Sequence, residues 1–332
     1  MTDVPASRLA AVSMFDAGTR RARVLLTRYG ILWVTIALFG ILGVTTDGFL
    51  RGANLRNVLD QQSLILIAAS FATLTIIGGG FDISQAAVFV TSAIVAIQAL
   101  NASDSILLGV LAGVGFGVGA GVFNAVVVAY ARIGSFIATL ATSFIWFGAG
   151  FLISDRSILR PETRAWSDLA RERIFGLTAA TWFSIAVVGL AWLVLSRTKF
   201  GRYVYATGGN AEAALLSGVN TRLITSATFV MSGAAAGLAG TLNAARSGSA
   251  LPSDDFSFVF AVIAAIVVGG TSIAGGEGAV WRTVLGALFI AFMVNGFNIH
   301  QIDPIWQRVI QGVVILVAVG LDAWARRART TG

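Results

Sequence analysis

Cysteine is absent from this 332-residue sequence, lysine and histidine occur once each, and charged residues make up only 12% of it. Without cysteine the chain can form no disulfide and no thiolate metal site. The single lysine, Lys199, lies between Thr198 and Phe200. A phosphate-binding loop of the form G-x-x-x-x-G-K-[ST] therefore cannot be built, and the chain does not bind ATP in that manner. One histidine, His300, leaves neither a histidine metal cluster nor a Ser-His-Asp site, so no catalytic residue and no metal ligand is assigned. Acids inside the apolar stretches are almost missing, with Asp82 the sole candidate, which argues against a proton relay. The charged share is about half that of an ordinary soluble domain.

What is present is apolar. Hydrophobic residues make up 56% of the chain and the mean hydropathy is +0.83. Apolar runs recur from Ile31 to Val319 without strand-like alternation, so the fold class expected is an all-α membrane protein. About ten spans of roughly 20 residues fit the length. They are expected near 29–45, 62–77, 84–100, 106–130, 135–153, 178–196, 223–244, 256–268, 280–297 and 305–321. The organisation read from this is an N-terminal tail (1–28), one transmembrane domain (29–325) and a C-terminal tail (326–332). The first 28 residues hold five arginines and no continuous apolar core, unlike a cleavable signal peptide. Residues 46–60 read as polar and interfacial, and 154–176 as a nearly neutral segment folded over one mouth.

The net charge of +7 comes from residues in the tails and between spans. Orientation explains it better than nucleic acid does. With both termini cytoplasmic, 14 basic residues fall inside and nine outside, Arg132, Arg197, Lys199, Arg202, Arg222 and Arg282 among the former.

Two span ends are alike: IIGGGFDISQ (76–85) and IVVGGTSIAGGEG (266–278). Each is a β-branched run, a glycine pair and a polar turn, the pattern of a broken or re-entrant helix lining a cavity. Asp82, with Gln85 three residues on, also makes a capping-box pattern for the next span, so cap and pathway residue are both open readings. Glu277 reads as part of a solvated turn. The glycines of span 4 (109, 113, 115, 117, 119, 121) and of span 7 (233, 237, 240) allow close backbone approach. Neutral polar residues within spans, Gln98, Asn124, Thr139, Thr142, Ser143, Asn295 and Asn298, suit a hydroxyl-rich uncharged solute, although each could simply bond two helices together.

The stretch GRYVYATGGNAEAALLSGVN (201–220) interrupts two apolar runs and is flanked by Arg197, Lys199, Arg202 and Arg222. Asn210 is a good N-cap, Glu212 suits the first turn, and Gly218 fits the left-handed C′ position. A short capped helix of about two turns on the cytoplasmic face could be gripped by a partner; an ordinary helical connecting loop is the other reading.

Four elements in this order carry a resemblance: GGGFDISQ, SFIATLATSFIWFGAG (135–150), KFGRYVYATGGNAEAALLSGVN (199–220), and FAVIAAIVVGGTSIAGGEGAV (260–280) with Asn295-Gly296. Over about residues 30–325 the chain resembles the permease subunits of ribose-type ATP-binding-cassette (ABC) importers. It departs where Ala125 follows Asn124 in place of the usual glycine, and where Gln85-Ala86-Ala87 replaces Val-Gly. The resemblance implies a transport subunit of the bacterial inner membrane, not an enzyme, that imports a monosaccharide or similar polyhydroxylated solute. Implied partners are a second permease subunit (identical or homologous), a cytoplasmic ABC ATPase that holds ATP and Mg, an extracytoplasmic sugar-binding protein and membrane lipid, with no nucleic acid. No cofactor is expected in this chain. Gly209, Asn210, Glu212, Ala213, Ala214 and Gly218, on a coupling helix at about 210–218, are the ATPase-coupling residues it implies. Asp82, Ser84, Asn124, Phe136, Thr139 and Asn295 are the translocation-path residues. An ion-coupled secondary transporter or channel acting alone is the main rival, and a membrane-embedded enzyme a weaker one.

Overall fold

In lipid every backbone polar group must find a partner within the chain, so apolar runs of this length fold as helices. The computed structural model describes residues 29–330; the N-terminal tail expected at 1–28 lies outside them. Helices α1 (Gly30–Thr45), α2 (Gly52–Ile77), α3 (Gln85–Ser103), α4 (Ile106–Ala125, continued by a π-helical turn, Val126–Tyr130) and α5 (Ser135–Ile153) come first. A 3-10 turn (Arg164–Ser167), the single turn α6 (Asp168–Arg171) and a small antiparallel hairpin, β1 (Arg173–Ile174) with β2 (Leu177–Thr178), follow. Then come α7 (Ala179–Arg197), α8 (Lys199–Gly209), α9 (Ala211–Leu216), α10 (Thr221–Ser247), α11 (Ser257–Val268), α12 (Val280–Ile299) and α13 (Pro304–Thr330).

Among the described residues, seven helices are long and apolar enough to cross a membrane: α2, α3, α4 with its π turn, α5, α7, α10 and α12. Three more apolar helices are shorter, Gly30–Thr45, Ser257–Val268 and Pro304–Val317. The chain is an all-α, multi-pass membrane protein, and the ten expected spans divide into these two sets. At twelve residues α11 is about 18 Å long, short of a hydrocarbon core of roughly 30 Å. Two boundaries differ from expectation. Helix α2 begins at Gly52, so much of the segment read as interfacial is helical. Helix α13 runs to Thr330, through residues read as the start of a tail.

Helix α10 is the hub and packs against α2, α3 and α4. Its glycines explain the closeness. A Cβ at Gly121 of α4 would come within 2.8 Å of Val230 Cα, and one at Gly237 within 2.9 Å of Gly117 Cα. Gly113, Gly117 and Gly121 recur every four residues on one helical face, whereas Gly115 and Gly119 open onto empty space. The apolar core lies between α2, α3 and α10, around Ile67, Leu74, Ile94, Ile97 and Leu242. The outward faces of α4, α5 and α7 stay apolar, as at Leu111, Phe144 and Leu193.

At one end the segment after α5 forms a fitted cover. Trp166 is wholly buried against Gly109. Leu159 exchanges backbone hydrogen bonds of 3.0 and 2.9 Å with Ala250, and Arg171 Nε donates to the Arg246 carbonyl at 2.6 Å.

Candidate functional site

At the opposite end, the start of α10, the chain builds α8 and α9. Asn210 accepts a 2.9 Å hydrogen bond from the Ala213 N–H and opens α9, as a good N-cap does. Helix α9 is six residues long, shorter than the two turns expected. It ends in a Schellman motif. Gly218 has φ +85°, its N–H reaches the Leu215 carbonyl at 2.9 Å, and the Val219 N–H reaches that of Ala214 at 3.0 Å. Ala214 and Val219, the pair that packs across such a cap, are both buried. Glu212 and Ala213 are exposed, as are Leu215 (59%) and Leu216 (84%).

Helix α8 was not expected, because Gly201, Gly208 and Gly209 make its stretch read as loop. Thr198 caps it, accepting from the Gly201 N–H at 3.2 Å, and Val204 and Thr207 bury one face. Burial pushes the Tyr205 phenol above its usual range, against the opposing pull of the Arg282 charge. The phenol stays protonated and donates to the Gly278 carbonyl at 2.7 Å.

The two similar breaks have one geometry. After α2 the Gly79 N–H bonds the Ile76 carbonyl and the Gly80 N–H that of Thr75; after α11 the Gly270 N–H bonds Val267 and the Thr271 N–H bonds Ile266. Gly79 and Gly270 have φ of +85° and +82°, so each break is a Schellman cap like that of α9. The segments also touch. The Gly276 N–H donates to the Ile77 carbonyl at 2.8 Å. A Cβ on Gly276 would lie 2.8 Å from Gly209 Cα, one on Gly275 3.1 Å from Gly79 Cα, and one on Gly208 would strike the Ile77 carbonyl. Three backbones therefore meet immediately before α9: the end of α2, the end of α8 and the loop between α11 and α12. Beside them is a cleft of about 1020 Å³ that includes Gly79, Asn210, Gly218, Tyr130 and Arg132 in its lining.

A buried polar network starts from the first break. Asp82 Oδ1 accepts from the Ser84 N–H (3.1 Å) and hydroxyl (2.6 Å), and Oδ2 from the Ser232 hydroxyl of α10 (2.6 Å). Gln85 Nε2 donates to Ser232 Oγ at 2.8 Å. Asn124 of α4 donates to Ser84 Oγ at 2.7 Å and accepts from Thr142 of α5 at 2.8 Å. Thr139 of α5 accepts from the Ile83 N–H at 3.0 Å. The capping-box reading of Asp82 and Gln85 is corrected here: the Gln85 amide turns to Ser232 rather than back to Asp82. A hydroxyl on a neighbouring helix displaces the local cap.

Of the six expected path residues, Asp82, Ser84, Asn124 and Thr139 are brought into this one network. Phe136 stands 53% exposed on α5. Asn295 lies elsewhere, in a reciprocal pair with Asn54 of α2 at 2.8 and 2.9 Å. Asn298 accepts from Gln307 at 3.0 Å, and His300 Nε2 sits 3.0 Å from Thr46 Oγ1. Gln98 is exposed and Glu277 is exposed in its turn. Sequence reasoning missed Ser232 and Gln85 as network members and Leu215 and Leu216 as the exposed apolar face of α9. The two adjacent leucines on so short a capped helix were the available signal for the latter.

A family model described as branched-chain amino acid transport system / permease component matches residues 54–319. The ribose import permease protein RbsC of Escherichia coli (strain K12) is 33% identical over 291 residues, 86% of this chain and 91% of that protein. The D-allose transport system permease protein AlsC of the same organism is 32% identical over 299 residues, 89% and 91% of the two chains. The L-arabinose ABC transporter permease protein AraH of Azospirillum brasilense is 31% identical over 305 residues, 92% and 90% of the two. No solved structure matches the chain.

Proposed function

Because this chain belongs to the family described as branched-chain amino acid transport system / permease component, we propose that it is the membrane-spanning subunit of an ATP-driven ABC importer for a monosaccharide or similar small polyhydroxylated solute. The observation that carries the reading is the similarity to ribose, allose and arabinose permeases over 86–92% of the chain. The family description names amino acids. The sugar reading is favoured by those relatives.

In this reading the protein sits in the bacterial inner membrane with ten crossings, three of them short, and both termini in the cytoplasm. Two permease subunits enclose the path, and a soluble sugar-binding protein delivers the solute from outside. Asp82, Ser84, Asn124 and Thr139 hold the wall of the path in shape. Phe136, exposed on α5 beside them, faces the second subunit or the solute, and Asn295 braces α12 against α2. A separate cytoplasmic ATPase binds ATP and Mg and grips α9. Gly209, Asn210, Glu212, Ala213, Ala214 and Gly218 build and present that helix, and Leu215 and Leu216 supply its apolar contact. The three-backbone junction passes its movement to the ends of α2 and α11.

The test is co-expression and co-purification with an ABC ATPase and a sugar-binding protein, followed by uptake in proteoliposomes. ATPase capture that is lost when residues 211–217 are replaced by a Gly-Ser linker, with uptake of a pentose or hexose only when ATP is supplied inside, is the expected outcome. Solute movement by the chain alone, driven by an ion gradient, would overturn the reading.

A further inference from the structure

A second cavity, away from the α9 cleft, runs along the outside of the bundle. It is a crevice of about 670 Å³ between α1, α2, α7 and α12, and its lining includes Leu32, Leu66, Val188, Val284 and Leu288 with Trp192 and Trp281 at one end. On α7 it extends from Thr181 to Trp192, about 16 Å at 1.5 Å per residue. Half of a hydrocarbon core of roughly 30 Å is ~15 Å, so the crevice spans one leaflet.

Its two ends are built differently. At the tryptophan end the Arg197 guanidinium lies 5.6 Å from the Trp192 ring centroid, and that of Arg282 lies 5.5 Å from the Trp281 ring centroid. Arg197 is five residues, about 7 Å, beyond Trp192 along the helix, at headgroup depth if Trp192 marks the end of the acyl region. The Tyr29 ring lies tilted against Trp281 with centroids 5.7 Å apart, completing an aromatic rim of the kind found at membrane interfaces. Lys199 follows on the same side. At the far end, next to lining residue Leu59, Asp60 accepts from Thr178 at 2.6 Å and is balanced by Arg246, whose Nη1 donates to the Asp60 carbonyl at 2.9 Å. The apolar slot is thus one acyl chain long, with two arginines at the end where a headgroup would sit.

We propose that this crevice is a binding site for an anionic glycerophospholipid of the leaflet on the α8–α9 side. Its acyl chain fills the slot and its phosphate meets Arg197 and Arg282. Arginine presents a planar fork of donors matched to phosphate, and basic pockets between membrane helices are recognised sites for such headgroups. The inference does not depend on the transported solute or on the ATPase; its failure would leave the importer reading standing.

The test is native mass spectrometry of the full chain in detergent micelles doped with equal amounts of phosphatidylglycerol and phosphatidylcholine. Wild type is expected to retain phosphatidylglycerol several-fold over phosphatidylcholine. Arg197→Gln is expected to cut that preference about fivefold, the factor that corresponds to ~1 kcal/mol per basic residue near a lipid surface. A Cβ at Gly189, another lining residue, would meet nothing within 4 Å, so Gly189→Trp fills the slot without moving backbone and is expected to abolish retention of both lipids. Leu190→Trp, on the exposed face of the same helix away from the slot, is the folding control and should behave as wild type. Equal retention of the two lipids by wild type, or unchanged retention by Gly189→Trp, would overturn the proposal.

Discussion

Asp82 accepts hydrogen bonds on both carboxylate oxygens, from Ser84 just before α3 and from Ser232 of α10, and is 7% exposed. Its neighbours depend on it: without it the Ser232 and Ser84 hydroxyls lose their acceptor in a buried place. Asp82→Asn keeps the shape but turns an amide N–H₂ towards one hydroxyl donor, so at least one bond is lost. A lost buried hydrogen bond costs about 1–3 kcal/mol, and bonds between membrane helices sit near the low end of that range. The expected result is a Tm several degrees lower in detergent, followed by tryptophan fluorescence. Ser232→Ala should lower it at least as much, because it leaves both Asp82 Oδ2 and the Gln85 amide N–H without their buried partner. Equal melting of Asp82→Asn and wild type would remove the network from any structural account of α3 and α10.

Helices α4 and α10 set a sharper contrast. Gly117→Leu would drive a side chain into the Gly233 and Gly237 backbone, while Gly119→Leu, half a turn away, meets open space. The first is expected to abolish monodisperse elution on size exclusion, and the second to leave it unchanged; the same behaviour from both would refute the close-packed glycine face. Helix α9 makes a surface prediction. Leu216 is 84% exposed, so Leu216→Glu should fold normally yet fail to hold the ATPase, whereas Asn210→Ala should weaken capture through a cap worth about 0.5–2 kcal/mol. Retained ATPase with Leu216→Glu would move the contact off α9. These elements also mark what could be read from sequence. The caps of α9 and the twin glycine breaks are local signals, set by residues within five positions of one another, and they were legible. Helix α8 was not, because its glycines lower helix propensity and hide the Thr198 cap and the buried face of Val204 and Thr207. Nor was the turning of Gln85 to Ser232, since a partner 147 residues away leaves no periodic trace, and the local capping box was the reading left without it.

For the molecule as a whole, the proposed ATPase grip on α9 raises the question of how movement there would reach the bundle. Its N-cap follows directly on Gly208 and Gly209, and these glycines touch both the end of α2 and the Gly275–Gly276 loop, backbone against backbone. Interfaces packed this closely do not deform smoothly, so a displacement of α8 must carry its neighbours along. The Tyr205 bond to Gly278 adds a second tie between α8 and that loop. Two substitutions test whether this junction couples α8 to the bundle. Gly276→Ala places a Cβ 2.8 Å from Gly209 Cα at a residue with φ +74°, which pries the loop from α8 while leaving the outer face of α9 untouched. Tyr205→Phe removes one hydrogen bond without steric load. If the junction transmits the stroke, both variants should still capture the ATPase, and solute taken up per ATP hydrolysed in proteoliposomes should fall, further for Gly276→Ala than for Tyr205→Phe. Should both keep the wild-type ratio while assembling normally, the stroke must reach the bundle by the direct connection of α9 to α10 through Asn220, whose side chain caps α10 by accepting from the Leu223 N–H at 3.1 Å.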